Sequence, residues 1–216
     1  MPTHYDQIAG QNLGRLEALS DGIFAVAMTL LVLDLRVPSV ESVHSEHDLI
    51  LAFVALLPRI LVYLMSFLTL GIFWLGQQTE LNHLSRSDRI LSWIHLGFLF
   101  AVVLLPFSTM LLAEFMVYRF ALFLYWLNIL MLGAALYFSW VYADRAALID
   151  ASTPKGVPSA ICRRIVIGQS LYAFGALLCL INTYWSIGFI VLVQLNYVFG
   201  LRFWSGPAQG SGSSVE

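Results

Sequence analysis

Apolar runs of about twenty residues, the length an α-helix needs to cross a hydrocarbon core of roughly 30 Å, recur along the whole of this chain. Hydropathy and helical periodicity place six spans at 16–36, 58–77, 90–113, 117–142, 161–181 and 184–204. A backbone inside lipid must satisfy its own hydrogen bonds, so repeated runs of this kind make the α-helix the spanning unit. Composition agrees: 59% of the 216 residues are hydrophobic and 11% are charged, whereas a soluble domain carries about a quarter charged residues. The chain is read as an all-α integral membrane protein, with one six-span domain over 1–204 and a flexible Gly/Ser-rich tail over 205–216. No cleavable signal peptide is expected, because polar MPTHYDQIAGQN leads directly into a full-length span.

The second span needs an argument. Apolar sequence begins near Leu49, but Pro58 and Arg59 interrupt it. Proline suits the first turn of a helix, and an arginine at the bilayer centre is costly. Residues 49–57 are therefore expected to lie at the interface, with the crossing helix starting near Pro58. Orientation follows from the eleven Lys and Arg residues. Arg15, Arg86, Arg89, Arg145, Lys155, Arg163, Arg164 and Arg202 fall on one side, and only Arg36, Arg59 and Arg119 on the other. Both termini are expected in the cytoplasm. Cys162 and Cys179 have no ligand spacing and read as isolated thiols, and the net charge of −2 identifies no partner.

Plain spanning does not explain the first span. RLEALSDGIFAVAMTLLVLDLRVP, Arg15 to Pro38, sets Arg15, Glu17, Ser20, Asp21, Thr29 and Asp34 into or beside apolar sequence. At 100° per residue, Leu19, Gly22, Val26, Thr29, Leu30 and Leu33 form one stripe with Arg15 at its end. Ala18, Asp21, Ala25 and Met28 lie on a second face, and Ile23, Ala27, Leu30 and Asp34 on a third. Arg15 and Asp21 are about 120° apart round the axis, so each is expected to meet a neighbouring helix. Simpler readings exist: Ser20–Asp21 as a helix cap, Arg15 snorkelling to headgroups, and Thr29 bonded back to a carbonyl one turn earlier. The single hydroxyl among Val26, Leu30 and Leu33, on the stripe that also carries Gly22, favours a face that packs on another helix or on symmetric copies of itself around an axis.

RLEALSDG resembles the Arg-x-x-x-Phe-Ser-Asp signature of the transmembrane protein 175 family of potassium-permeable channels, with Leu19 in place of phenylalanine. Arg59–Trp74 (RILVYLMSFLTLGIFW) is similar to the family's second helix, and Asp88 and Leu104–Phe107 (LLPF) match its third-helix region. The resemblance implies a homotetramer assembled around a central pore lined by the first helix. It implies constrictions at Val26, Leu30 and Leu33, a selectivity layer at Thr29, and a network of Arg15, Ser20 and Asp21 that fixes the pore helix. Selectivity would come from side-chain rings in place of TVGYG carbonyls, which this sequence lacks, and closure from a dewetting apolar constriction. Two positions depart from the family: Gln77 stands where Trp-x-x-His has its histidine, and Ile94–His95 where a Leu-Asn pair is usual. The network is thus expected to be rewired, with His95 as the histidine left nearby.

The resemblance implies a potassium-permeable channel, passing potassium and similar monovalent cations through a bacterial plasma membrane. The alternatives are a secondary transporter or a proton-permeable membrane protein. A transporter would favour inverted repeats and broken helices, and no repeat is legible here. An enzyme would need a reactive cluster, for which His44, Glu46, His47 and Asp48 are the candidates as ligands of a divalent ion. No catalytic residue, metal, cofactor or nucleic-acid partner is expected.

Overall fold

The computed structural model describes residues 12–33, 35–39, 43–154 and 156–199. Asp34, Lys155, Arg202 and the 205–216 tail, all used in the sequence reading, lie outside them. Six α-helices follow in order: α1 (Leu13–Leu33), α2 (Glu46–Leu81), α3 (Arg89–Glu114), α4 (Arg119–Arg145), α5 (Val157–Leu177) and α6 (Thr183–Phe199). A 3-10 turn, η1 (Leu178–Leu180), joins the last two. Five of the six are long and apolar enough to cross a membrane, while α6, at 17 residues, is shorter. The last five residues of the expected sixth span, 200–204, fall outside the described residues.

One expectation is overturned. α2 does not begin near Pro58; it is a single helix of 36 residues from Glu46. Ser45 starts it, its side chain accepting a bond from Asp48 N at 3.2 Å, and no residue before Pro58 breaks a helix. Pro58 removes one backbone donor, but on an exposed turn where the freed carbonyl is not sealed in the core. Arg59, the second reason for expecting a late start, is neutralised by Glu114 at the end of α3 (2.9 Å).

The helices run up and down. Leu16 at the start of α1 shares a buried cluster with Leu81 at the end of α2, Leu84 just after it, Leu91 in α3, Ala143 near the end of α4 and Leu148 beyond it. That cluster gathers Arg15, Arg86, Arg89 and Arg145 towards one end of the bundle. At this end Asp88 caps α3, accepting from Leu91 N at 2.8 Å, and receives the Tyr142 hydroxyl at 2.6 Å. The larger core is built of Phe24, Phe73 and Phe98, with ring centroids about 6 Å apart, together with Leu31, Val62, Met65, Val102 and Leu105.

Through the middle of this core runs a string of hydroxyls. Tyr125 OH lies 3.2 Å from both Ser66 Oγ and Thr69 Oγ1. Thr109 Oγ1 is 2.8 Å from Ser66 Oγ, and Gln194 Nε2 donates to Thr69 Oγ1 at 2.7 Å. Ser66 and Thr69 also reach back to Val62 O and Met65 O, each at 2.9 Å. One string thus ties α2, α3, α4 and α6. The hydrophobic effect supplies little driving force between helices surrounded by lipid, so close packing and such bonds specify which helices meet. Tyr125→Phe keeps the ring and removes the shared hydroxyl. Its expected cost is about 0.6–1.7 kcal/mol, read as a lower melting temperature in detergent with unchanged helix content by circular dichroism.

Candidate functional site

α1 begins at Leu13, so Ser20 and Asp21 sit two turns inside it and cannot cap it. The amide of Arg15 is instead met by the side-chain oxygen of Asn12 at 3.1 Å. Leu16, Ser20, Phe24, Ala27 and Leu31 form the buried face of α1, at spacings of four, four, three and four residues. Ser20 is fully buried; its hydroxyl donates to Leu16 O and accepts from Gln77 Nε2, both at 2.8 Å. Asp21, one position round the helix and exposed, accepts from Trp74 Nε1 at 2.9 Å and Gln78 Nε2 at 3.0 Å through a single oxygen, Oδ1. Three donors, two of them only a residue apart, therefore lock the first helix to the second.

Gln77, the position at which this sequence departs from Trp-x-x-His, places its amide beside Ser20. His95 does not join the lock. It is buried, with Nδ1 3.2 Å from Leu91 O and 3.5 Å from Ser139 Oγ, and its Nε2 has no partner among the described residues. Arg15 is exposed, and its guanidinium meets neither Ser20 nor Asp21 within one chain. Sequence reasoning missed Trp74 and Gln78 as the partners of Asp21. It also missed Glu80, wholly buried within reach of Ser139. Glu80 lies in QQTELNH, which reads as loop, and only the packing of α2 draws it inward.

With Ser20 turned in, the opposite face is fixed. Leu19, Gly22, Val26, Thr29, Leu30 and Leu33 are all exposed, Val26 at 57% and Leu33 at 72%. Leu19, Gly22, Val26 and Leu30 of the stripe line an apolar cleft of about 420 Å³ together with Ala18, Ile23 and Ala27 of α1 and Val103 of α3. Ile23 is half-buried, off the stripe. Thr29 does bond back, its hydroxyl donating to Val26 O at 2.8 Å. That spends its only proton and leaves the oxygen lone pairs free, which is the polarity a cation requires.

Of the candidates for metal chemistry, Glu46, His47 and Asp48 lie in the first turn of α2, Asp48 Oδ2 accepts from His44 N at 3.3 Å, and no group of three or more possible ligands comes together among the described residues. Cys162 and Cys179 are both free.

A family model described as the endosomal/lysosomal potassium channel TMEM175 matches residues 15–106. A potassium channel of Chamaesiphon minutus is 31% identical over 195 residues, covering 88% of this chain and 94% of that protein. This chain belongs to the TMEM175 family. The crystal structure of a lysosomal potassium-selective channel TMEM175 homolog from Chamaesiphon minutus superposes with a TM-score of 0.73 at 29% identity, covering 88% of this chain and 97% of that one. A potassium channel of Streptomyces collinus is 39% identical over 103 residues, about half of each protein. The human endosomal/lysosomal proton channel TMEM175 is 34% identical over 86 residues, 17% of its length. TMEM175 proteins are multi-pass membrane channels and not enzymes, and the region matched by the family model contains both the α1–α2 lock and the exposed stripe.

Burial separates the two halves of the lock. Ser20→Ala leaves the Gln77 amide buried without its acceptor and is expected to cost about 1–3 kcal/mol. Asp21→Ala strips bonds that water can partly replace, and is expected to cost about 1 kcal/mol. Thermal unfolding in detergent should therefore rank Ser20→Ala below Asp21→Ala, and both below the parent chain.

Proposed function

We propose that this chain is a potassium-permeable cation channel in which four copies surround a pore lined by α1. The observation that carries the reading is the exposed stripe of α1. This face carries one hydroxyl, Thr29, among Leu19, Gly22, Val26, Leu30 and Leu33, and the Ser20 bond to Gln77 turns it away from the bundle. The names of the relatives favour potassium as the permeant ion, and the likeness to the Chamaesiphon minutus channel supports the arrangement. The reading includes both termini in the cytoplasm of a bacterial plasma membrane, in line with the excess of Arg and Lys at that end.

In this scheme Val26, Leu30 and Leu33 form apolar rings that resist wetting when the pore is closed. Thr29 lies about one turn beyond Val26, and turns its free lone pairs towards an ion that has shed part of its water. The larger potassium ion sheds that water more readily than sodium. Ser20 and Asp21 hold α1 in the rotation that presents these rings. Arg15, which meets neither Ser20 nor Asp21, stands at the cytoplasmic end of the stripe, within reach of a neighbouring copy.

Mass measurement of the purified protein should give a tetramer, and a conducting monomer would overturn the shared pore. In liposomes with potassium and sodium gradients, Val26→Asn and Leu33→Asn are expected to raise flux by easing the entry of water. Thr29→Val keeps the shape and is expected to lower potassium-over-sodium discrimination, read as a shift in reversal potential, more than total flux. Ile23→Asn is the off-stripe control. Opening by Ile23→Asn alone would mean that α1 is rotated from this assignment.

A further inference from the structure

We propose that Arg163 and Arg164 of α5, with the ring of Tyr197 on α6, bind the phosphate of an anionic phospholipid at the rim of the bundle. The site is complete within one chain and does not depend on the pore reading.

Two distances place it in the membrane. Gln169 of α5 fills the space beside Gly133 of α4 where a Cβ would stand, and its Nε2 donates to Ile129 O at 3.3 Å. These residues therefore lie at one level of two antiparallel helices. From Gly133, α4 runs about 18 Å to Arg145, whereas from Gln169 α5 runs back only about 8 Å to Arg164. Arg164 thus stands about 10 Å nearer the membrane centre than Arg145. The far end of the hairpin agrees. Tyr184 and Trp185, exposed at the start of α6, mark the opposite boundary. Tyr197 lies only about 18 Å beyond Trp185, along a hydrocarbon core of roughly 30 Å.

Charge at that depth is costly unless a counter-charge or water reaches it. Arg59, at the other end of the bundle, receives Glu114 from its own chain. Neither Arg163 nor Arg164 forms an ion pair among the described residues. Both are exposed, and Arg163 shares its side of α5 with Val166, Ser170, Phe174 and Leu177, which are exposed as well. α5 packs on α4 and α6 on α2, while α1 packs mainly on α2 and α3. The two arginines therefore look outward into lipid, and the counter-charge that lipid offers is phosphate.

The geometry fits that ligand. Arg164 Cζ lies 4.4 Å from the centroid of the Tyr197 ring, which covers one face of the guanidinium. Stacking fixes the plane and leaves the N–H edge open, a fork that grips two phosphate oxygens at once. Arg163, the next residue round the helix, adds a second positive charge. Two cations without a carboxylate favour a headgroup of net negative charge over a zwitterionic one, whose own ammonium they would repel.

The test is lipid retention by the purified chain in detergent, titrated and read by native mass spectrometry. Phosphatidylglycerol is expected to be retained, and phosphatidylcholine and inorganic phosphate to be lost. Arg163→Gln/Arg164→Gln is expected to weaken phosphatidylglycerol binding about a hundredfold, roughly tenfold for each charged donor removed. Arg86→Gln/Arg145→Gln removes as much charge from the same end and is expected to bind as the parent does. Arg164→Lys keeps the charge without the fork and is expected to bind less tightly than the parent. Should the first double variant fail to fold, Arg163→Gln alone, on the lipid-facing side, reads a loss of about tenfold. Equal loss in both double variants would reduce the effect to general attraction by the basic end. Parent-like binding in Arg163→Gln/Arg164→Gln or in Arg164→Lys would place the lipid elsewhere. Retention of phosphatidylcholine or free phosphate as tight as that of phosphatidylglycerol would remove the headgroup preference. Any of these results overturns the proposal.

Discussion

The rotation of α1 about its own axis is the constraint on which the rest depends. A helix with apolar residues on every side could settle in several rotations at nearly equal cost, since lipid accepts any of them. Ser20 removes that freedom. Its hydroxyl is fully buried against the amide of Gln77, and turning it into lipid would strand both groups. Asp21, 100° further round, accepts from Trp74 and Gln78 on the same stretch of α2. Bonds at two angular positions on α1 set its rotation, and with it the residues left facing outward.

The same logic holds α2 in place further along. Ser66 and Thr69 meet the hydroxyl of Tyr125 and, through it and their own bonds, Thr109 and Gln194. α2 is thus the central strut: its Trp74–Gln78 stretch grips α1, its middle grips α3, α4 and α6, and Arg59 grips the end of α3.

Much of this architecture was legible early. The span count, the stripe running from Leu19 to Leu33, and the demand that Asp21 meet another helix all follow from 3.6-residue periodicity and from the cost of polar groups in lipid. The start of α2 was misjudged for a definite reason. An arginine inside an apolar run is expensive only while its counter-charge is unknown, and Glu114 lies 55 positions away in the chain. Glu80 was hidden by the reverse effect, a polar neighbourhood that suggested loop where the fold supplies burial.

The sequence by itself therefore determined the properties that repeat along one helix: membrane residence, the number of spans, the apolar stripe of α1 and the rarity of its polar signature. Only the tertiary structure decided which side chains complete that signature, how far α2 extends, and which face of each helix is already taken. Periodicity arranges residues around a single axis, but partners such as Ser20 and Gln77, or Arg59 and Glu114, are chosen by distances between axes. Those distances come from packing the whole bundle at once, which no local stretch of sequence contains.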